Sequence, residues 1–393
     1  MMKVYFASDT SLSSALTRLP QGGRGETKVR PLAALREGAR RAGEGGDVGR
    51  WVALICGYRE RLSWAIFPVW PCAPSYKCLI TAAEQPRDPL TATAFPPALE
   101  FLRLARRQSA YLAEAMMLVL VMTIFACLPV DWASAVGGYV GRKIGPRTGA
   151  SRRVMRNLRR AMPENGDAEN RRILLGMWDN LGRAAAEYPH LAWICAENSH
   201  RVELVNGEGV TRLLDSNEPA IFFGGHFANW EVGPSMIHRM IGTSLVSVYR
   251  APNNPWAARL LQRWLPPRRT VAKGRAGGRE LLGHLRGGGH LAMLVDQKMN
   301  DGIAVPFFGR DAMTAPAIAR FSLRFRCPIV PIRVERLKGA RFRFTVQPPI
   351  DLADTHDATA DVLARMTRIN AEVESWVRAC PEQWLWAHRR WPD

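Results

Sequence analysis

The sequence predicts an α/β fold in which a mixed sheet is flanked by helices, with an apolar helix preceding it. From about residue 220 onwards, short apolar segments with strand character alternate with helical segments. The chain of 393 residues is 47% hydrophobic and 23% charged, which is the balance of a globular protein. Strands that alternate with helices are typical of a layered architecture with a mostly parallel or mixed sheet.

The individual elements follow from local patterns along the chain. Residues 146–191 have helical periodicity, and a proline at the first position marks the start of a later helix. The predicted strands are Ala220–Gly224, Ser244–Tyr249, His290–Val295, Pro328–Val334 and Phe342–Val346, and the predicted helices start at Pro255 and Gly278 or cover Thr314–Phe325 and Ala358–Arg378.

The first 95 residues differ from the rest in composition. They contain Gly/Arg clusters and a proline-rich run, and no helical or strand period persists in them. They also lack the apolar region and cleavage site of a secretory signal. We predict that residues 1–95 are a disordered leader or sequence upstream of a misassigned start, in preference to a basic arm or targeting peptide.

An apolar helix is predicted over residues 110–130. Glu114 interrupts its apolar run, which is otherwise close to the length needed to cross a bilayer. Basic residues flank it on both sides, which favours a helix seated at an anionic leaflet over a buried core helix. We therefore divide the remaining chain into a membrane-associating helix with its basic flank, 96–145, and a main domain, 146–393.

The charge balance indicates a polyanionic partner. The chain has 54 basic and 35 acidic residues, a net charge of +19. Nucleic acid, an anionic membrane and a phosphorylated substrate all fit that charge. No helix-turn-helix, zinc-finger or RNA-binding pattern is present, so nucleic acid is not the expected partner. The seven cysteines form no CxxC pair, so neither a metal site nor a disulfide framework is predicted.

A candidate base follows the first strand of the main sheet. His226 comes after Gly224 and Gly225, and Glu231 lies five residues further on. A histidine oriented by a carboxylate can act as a general base. The same spacing occurs at His356 and His388, so it is weak evidence alone, and a structural histidine at a helix cap is the alternative.

Further polar residues follow later strands. Arg250 comes directly after one strand, and Asp296, Gln297 and Lys298 come directly after another. Because polar groups at strand ends tend to meet at one edge of a sheet, we expect them near His226. Arg250 has two interpretations, a group that holds a substrate phosphate or carboxylate, and a surface guanidinium at a turn. Asp296 also has two, a carboxylate that orients Arg250 or a substrate hydroxyl, and an ordinary cap.

Two other segments have two interpretations each. The basic segment 273–279 leads into a helix N-terminus and resembles a loop that binds a phosphate group there. It lacks the pattern of a nucleotide-binding loop, and a plain basic turn is the better interpretation. The Trp/His/Arg run at 384–391 fits a membrane-interface belt or helix packing.

With these motifs together, the sequence resembles the late acyltransferases of lipid A biosynthesis, a branch of the glycerolipid acyltransferase-like superfamily. The resemblance covers about residues 99–392 and does not extend to the first 95. The motifs that carry it are Met177-Trp-Asp-Asn-Leu-Gly-Arg, Gly225-His-Phe-Ala-Asn-Trp-Glu, Asp296-Gln-Lys, Val305-Pro-Phe-Phe-Gly, Thr314-Ala-Pro and Pro381-Glu-Gln-Trp-Leu-Trp-Ala-His-Arg-Arg.

The resemblance implies transfer of a fatty acyl chain from acyl carrier protein to a hydroxyl of a Kdo-modified lipid A precursor. It implies no cofactor or metal, and a site facing the cytoplasm at the bacterial inner membrane, whose anionic lipids the basic surface suits. His226 would be the general base, and Glu231 would fix its tautomer, while the Gly224–Gly225 turn and Asn229 would surround the oxyanion. The expected substrate-binding residues are Asn229, Arg250, Asp296, Gln297, Lys298 and Thr314.

Three alternatives remain open at this point. One is an acyltransferase that acts on a glycerolipid or another lipid, since the His226 motif suits either acceptor. The second is a nucleic-acid-binding protein, and the third is a membrane scaffold in which His226 is inactive.

Overall fold

The computed structural model of the protein describes residues 97–210, 218–250, 252–266, 268–352 and 354–391, with backbone only at 97–101 and 275. The predicted leader over 1–95 lies outside the described residues. The boundary at residue 146 between the membrane-associating helix and the main domain stays a prediction.

A seven-stranded sheet forms the centre of the fold. The strands of the described residues are β1 (Val202–Val205), β2 (Ile221–Gly224), β3 (Leu245–Tyr249), β4 (Arg269–Ala272), β5 (His290–Leu294), β6 (Lys298–Phe307), β7 (Arg310–Thr314), β8 (Ile329–Lys338) and β9 (Arg341–Val346). The order in the central sheet is β1-β9-β8-β2-β5-β3-β4, and every neighbouring pair is parallel except β8 and β9, which are antiparallel. The predicted mixed α/β architecture is therefore confirmed.

Helices lie around the sheet and before it. The α-helices of the described residues are α1 (Pro97–Ala126), α2 (Val130–Ile144), α3 (Gly149–Ala161), α4 (Asp167–Glu187), α5 (Leu191–Ile194), α6 (Val232–Ile241), α7 (Pro255–Trp264), α8 (Arg275–Arg286), α9 (Ala317–Phe325) and α10 (Ala358–Ala379). The apolar helix α1 begins earlier in the chain than predicted and also ends earlier. The helix predicted from Thr314 begins at Ala317, because Thr314 ends β7.

The strands β6 and β7 form a separate antiparallel hairpin that the sequence analysis did not predict. Its two turn residues, Phe308 and Gly309, have φ angles of 53° and 65°. Two positive φ angles at a two-residue turn match the twist of paired strands, and glycine adopts them without a steric cost.

The strand β2 is buried on both faces of the sheet. Phe223 packs into the core that contains Met177 of α4 and Trp376 of α10, whereas Phe222 packs into the core that contains Met236 of α6. Burial on both faces explains why this strand is a continuous apolar run. It also fixes the position of the loop that leaves β2 at the carboxyl end of the sheet.

Helices α2 and α4 pack through glycines. A Cβ on Gly137 would lie 2.4 Å from the carbonyl oxygen of Gly182, and a Cβ on Gly182 would lie 2.1 Å from the carbonyl oxygen of Gly137. No other residue permits so close an approach of two backbones. Helix α2 is therefore held against α4 along one face, which leaves its opposite face outward.

Candidate active site

His226 and Asp296 are brought together by the register of β2 and β5. These strands are parallel neighbours in which Gly224 is paired with Leu294, and each polar residue follows two positions later. Nδ1 of His226 lies 2.7 Å from Oδ1 of Asp296. Because a carboxylate only accepts hydrogen bonds, Nδ1 carries the proton and Nε2 is left as the basic nitrogen.

Asp296 is a fully buried carboxylate with three donors. Besides Nδ1, the backbone N–H of His226 donates to Oδ2 at 2.7 Å, and the indole Nε1 of Trp384 donates to the same oxygen at 2.8 Å. Burial opposes ionisation of Asp296, but the charge and hydrogen bonds of His226 outweigh it and hold its pKa well below the usual range. The carboxylate is thus charged and rigidly held.

Gly225 makes this close arrangement possible. A Cβ at this position would lie 2.9 Å from the ring of Phe227 and 3.1 Å from Oδ2 of Asp296. The second glycine of the turn is thus required because the backbone passes directly against the carboxylate.

The basic nitrogen of His226 faces Gln297. Nε2 of His226 and Nε2 of the exposed Gln297 amide lie 3.2 Å apart, which fits donation by the amide to the imidazole. Burial disfavours the protonated form of the ring and lowers its pKa, whereas the charge and hydrogen bond of the Asp296 carboxylate favour that form. The second effect is larger, so the pKa of His226 is raised above its ordinary value. An imidazole with one nitrogen held by a carboxylate and the other within reach of an exposed group can accept a proton from a bound substrate.

Glu231 does not hold the ring of His226, which corrects the expected His226–Glu231 contact. Its carboxylate forms an ion pair with Arg268, whose Nη1 also donates to Oγ of Ser235 at 3.2 Å. The hydroxyl of Tyr188 bonds Glu231, and burial together with this carboxylate raises the pKa of Tyr188. The five-residue spacing misled because the chain turns between the two residues, with a φ of 49° at Ala228.

Asn229 lies in the interior, so the expectation that it contacts substrate or the oxyanion is not met by this geometry. Its side chain is 1% exposed, and its amide donates to Oε2 of the buried Glu187 at 3.0 Å. Arg336 forms an ion pair with Glu187 and donates to Asn180 at 2.9 Å, and Asn180 donates to the carbonyl of Ala228 at 3.0 Å. This network fixes the shape of the loop that presents His226.

Thr314 and Lys298 are neighbours across the β6–β7 hairpin. Thr314 is fully buried, and its hydroxyl donates to the carbonyl of Ala312 at 2.8 Å. The hydroxyl is thus already used as a donor within the hairpin, and substrate binding by Thr314 stays a prediction. Lys298 is partly exposed and directly follows Gln297.

Arg250 lies at the end of β3, beside the end of β4. Desolvation and then the positive charge of Arg250 lower the pKa of Lys273, which places the two cations close together. The backbone N–H of Lys273 donates to the carbonyl of Tyr249 at 2.9 Å, which ties the two strand exits to each other. The oxygens of Asp296 accept from His226 and Trp384, and the expectation that Asp296 orients Arg250 stays a prediction.

The C-terminal Trp/His/Arg run is built into the site, which resolves its two interpretations in favour of packing. Trp384, Trp386 and Arg390 are at most 1% exposed. The backbone N–H of Leu385 donates to the carbonyl of His226 at 3.0 Å, so the run is attached to the loop that carries His226. The tryptophan that orients Asp296 was not predicted as a site residue. Its only sequence signal was the motif itself.

His388 adds a second imidazole to this cluster. Its ring centroid is 6.2 Å from that of His226 and 4.9 Å from that of Trp384, and neither of its buried ring nitrogens has a hydrogen-bond partner. Burial lowers the pKa of His388 to about 4, so it is neutral at physiological pH. His388 belongs to the C-terminal motif but was not among the predicted site residues.

An apolar crevice adjoins the loop of His226. Trp230, whose ring centroid is 5.3 Å from that of His226, lines it together with Pro234, Leu294, Ile332 and Val334. Among the described residues, no group of three His, Cys, Asp or Glu side chains is placed to hold a metal ion.

Comparison with known proteins agrees with these motifs. The family model described as bacterial lipid A biosynthesis acyltransferase matches residues 101–393. The chain is 29% identical over 280 residues to the lipid A biosynthesis myristoyltransferase of Escherichia coli (strain K12), covering 68% of this chain and 83% of that protein. It is 28% identical over 281 residues to the lipid A biosynthesis acyltransferase 1 of Shigella flexneri, with the same coverage. It is also 26% identical to the lipid A biosynthesis lauroyltransferase of E. coli over 256 residues, 60% of this chain and 77% of that protein. The resemblance drawn from the motifs is confirmed.

Proposed function

Because the chain belongs to the bacterial lipid A biosynthesis acyltransferase family, we propose that it transfers a fatty acyl chain from acyl carrier protein to a hydroxyl of a Kdo-modified lipid A precursor. The observation that carries the chemistry is the 2.7 Å contact between Nδ1 of His226 and the buried carboxylate of Asp296. The glycerolipid acyltransferase-like superfamily is the fold to which we assign the sheet and its helices.

The proposed reaction is direct transfer between the two substrates. Nε2 of His226 accepts the proton of the acceptor hydroxyl as its oxygen bonds to the thioester carbonyl carbon. The tetrahedral intermediate collapses by breaking the carbon–sulfur bond, and the thiolate of the acyl carrier protein takes the proton from His226. A positioned general base contributes roughly 10²–10⁴-fold to the rate.

Asp296 supports this proton transfer in two ways. It keeps the proton of the resting imidazole on Nδ1, so that Nε2 is free to accept another. Its charge also stabilises the imidazolium that forms during the reaction, in line with the raised pKa of His226. We therefore assign to Asp296 the positioning role that the sequence analysis gave to Glu231. Glu231 instead anchors the start of α6 through Arg268.

Three amides of the loop that carries His226 are already engaged as donors, which limits what this loop can offer to an oxyanion. The backbone N–H groups of His226, Phe227 and Ala228 already donate to Asp296, Gly225 and Gln383. The exposed amide of Gln297 is a donor next to Nε2, and an entering hydroxyl would displace it from that nitrogen. We assign Gln297 to the thioester oxyanion, where one donor contributes about 10²–10³-fold.

The basic surface suits the substrates. The net charge of +19 favours the acidic acyl carrier protein and the anionic precursor. Arg250 and Lys273, which lie close together, are the groups we assign to a substrate phosphate, with Lys298 beside Gln297. The site would face the cytoplasm at the inner membrane, and neither a cofactor nor nucleic acid takes part.

Acyl transfer by purified membranes tests this proposal. Labelled Kdo-modified lipid A precursor, or a lysophospholipid in a parallel reaction, would be incubated with a panel of acyl carrier protein thioesters and wild type, His226→Asn or His356→Asn. The control suits the test because His356 is exposed and also has an acidic residue five positions later. We expect transfer by wild type and His356→Asn but not by His226→Asn. Transfer to a lysophospholipid alone would favour a glycerolipid acceptor, and unchanged transfer by His226→Asn would contradict the mechanism.

A further inference from the structure

Helix α1 is apolar and long enough to cross a bilayer by length and composition, over Leu102–Ala126. At 1.5 Å per residue these 25 residues extend about 37 Å, against a hydrocarbon core of about 30 Å. Its hydrogen bonds to the rest of the chain, however, argue against a position across the bilayer.

One face of α1 is attached to the main domain along half of its length. Near its middle, the amide of Asn254 donates to the carbonyl of Tyr111 at 2.8 Å and to Oε2 of Glu114 at 3.1 Å. Near its end, Nε2 of His190 lies 2.9 Å from the carbonyl of Phe125. The span from Tyr111 to Phe125 is about 21 Å of helix, and the part before it is shorter than a bilayer core.

The Asn254 contact sets where the polar helix α7 would lie if α1 crossed. Asn254 caps α7 by accepting from the backbone N–H groups of Trp256 and Ala257. The exposed Arg259 and Arg263 of α7 would then be held near the middle of the bilayer. Charged guanidinium groups are strongly disfavoured there, so a crossing α1 is incompatible with its contact to α7.

The outward faces of α1 and α2 are nonetheless apolar. On α1 the exposed fractions of Met116 and Met117 are 60% and 59%, and on α2 those of Trp132 and Tyr139 are 68% and 56%. The opposite face of α2 is buried against Gly182 of α4, as described above. The exposed large apolar side chains of α1 from Leu112 onwards and of α2, called here the α1–α2 face, are Leu112, Met116, Met117, Val119, Leu120, Ile124, Trp132, Val136, Tyr139, Val140 and Ile144.

Basic residues flank the α1–α2 face. Arg103, Arg106 and Arg107 lie on α1 before it, and Lys143 lies at the end of α2, over the ring of Tyr139. An apolar face with basic residues at its edges and tryptophan and tyrosine among its members is the pattern of a helix in the plane of an anionic interface.

We propose that α1 and α2 lie in the plane of one anionic leaflet and seat the protein on it through the α1–α2 face, without crossing the bilayer. This goes beyond the proposed function, since it concerns how the chain meets the membrane and not which acceptor it acylates. Both ends of α1 are then on the same side of the membrane.

Topology in cells tests the orientation without using acyl transfer. The eleventh strand of a split fluorescent protein would be inserted before Pro97 of the full chain, or fused after Asp393, with the large fragment in the cytoplasm. We expect fluorescence from both insertions. Fluorescence only from the C-terminal fusion, with the Pro97 insertion reacting with a periplasmic fragment, would show that α1 crosses and would overturn the proposal.

Vesicle flotation tests the surface itself. The full chain would be mixed with phosphatidylcholine vesicles with or without phosphatidylglycerol, as wild type, Trp132→Ser/Met117→Ser or the control Leu337→Ser/Leu363→Ser. The control leucines are 48% and 44% exposed but lie outside the α1–α2 face. We expect binding that requires phosphatidylglycerol and falls roughly tenfold in the first variant only. Equal binding by both variants, or binding without the anionic lipid, would contradict the proposal.

Discussion

Asp296→Asn changes one atom of the proposed catalytic pair, and its effect follows from the hydrogen bonds of the carboxylate. Oδ1 accepts from Nδ1 of His226, while Oδ2 accepts from both the His226 backbone and Trp384. An amide has only one accepting oxygen. The amide oxygen is most favourable in the place of Oδ2, where it accepts from the His226 backbone and Trp384. The NH₂ group then takes the place of Oδ1 and faces Nδ1 of His226.

The ring must then accept at Nδ1 and carry its proton on Nε2, where a base is needed. We therefore expect kcat/KM to fall by about 10²–10⁴-fold, the range for loss of a positioned general base and its orienting carboxylate. The residual activity has a second signature. The base works only when unprotonated, and Asp296 raises the pKa of His226 above about 6.5. The acid limb of the pH profile should therefore move to lower pH in the variant.

The assay is kcat/KM for acyl transfer from pH 5 to 9, with Asp311→Asn as the control because that carboxylate is exposed on β7. Thermal unfolding would establish that each variant is folded. Wild-type kcat/KM in Asp296→Asn, with the acid limb in its original place, would refute this reasoning.

Three further predictions concern residues around this pair. Glu231→Gln leaves the Arg268 side chain, which is 6% exposed, without its carboxylate, so we expect the free energy of unfolding to fall by about 3–5 kcal/mol. The acid limb of the pH profile for kcat/KM should stay in place, and a shift of that limb would show that Glu231 orients His226. His388→Phe removes a buried imidazole whose pKa of about 4 lies below its value in the unfolded chain. As the pH falls from 6.5 to 4, the free energy of unfolding, measured by chemical denaturation, should therefore fall by about 3 kcal/mol more in wild type than in the variant. The same pH dependence of stability in both proteins would contradict a buried neutral His388. Gln297→Ala should lower kcat by about 10²–10³-fold with little change in the KM for the acyl carrier protein thioester, whereas an effect on KM alone would place Gln297 in binding.

The sequence predicted the strands that have a clear hydrophobic pattern, which are apolar runs such as β2, buried on both faces, and the alternating residues of β9. Short or irregular strands escaped it: β1 is half-exposed, and β6 contains a register shift between Lys298 and Ile303. The positions of His226 and Asp296 at the ends of strands were predictable from the alternation of elements. Their direct contact was not, because it depends on the order β2-β5 in the sheet, which sequence spacing does not contain.

Glu231 illustrates the opposite error. Proximity in sequence favoured it over Asp296, which is 70 residues from His226 along the chain. A left-handed residue at Ala228 turns the loop, and a distant arginine, Arg268, takes the carboxylate. Asn229 was misplaced for the same reason, since the buried Glu187 that binds it comes from α4. Spacing along the chain shows which polar residues belong to one loop. Partners from distant parts of the chain, such as Arg268 and Glu187, determine which groups those side chains contact.

A double-mutant cycle of His226→Ala and Asp296→Asn tests the central claim most directly. If Asp296 acts on catalysis only through the imidazole of His226, removing it from an enzyme that already lacks the imidazole should cost nothing further. The measurement is kcat/KM for acyl transfer in wild type, both single variants and the double variant. The structure predicts that the double variant is as slow as His226→Ala alone. Losses that multiply would contradict the His226–Asp296 pair as the catalytic unit.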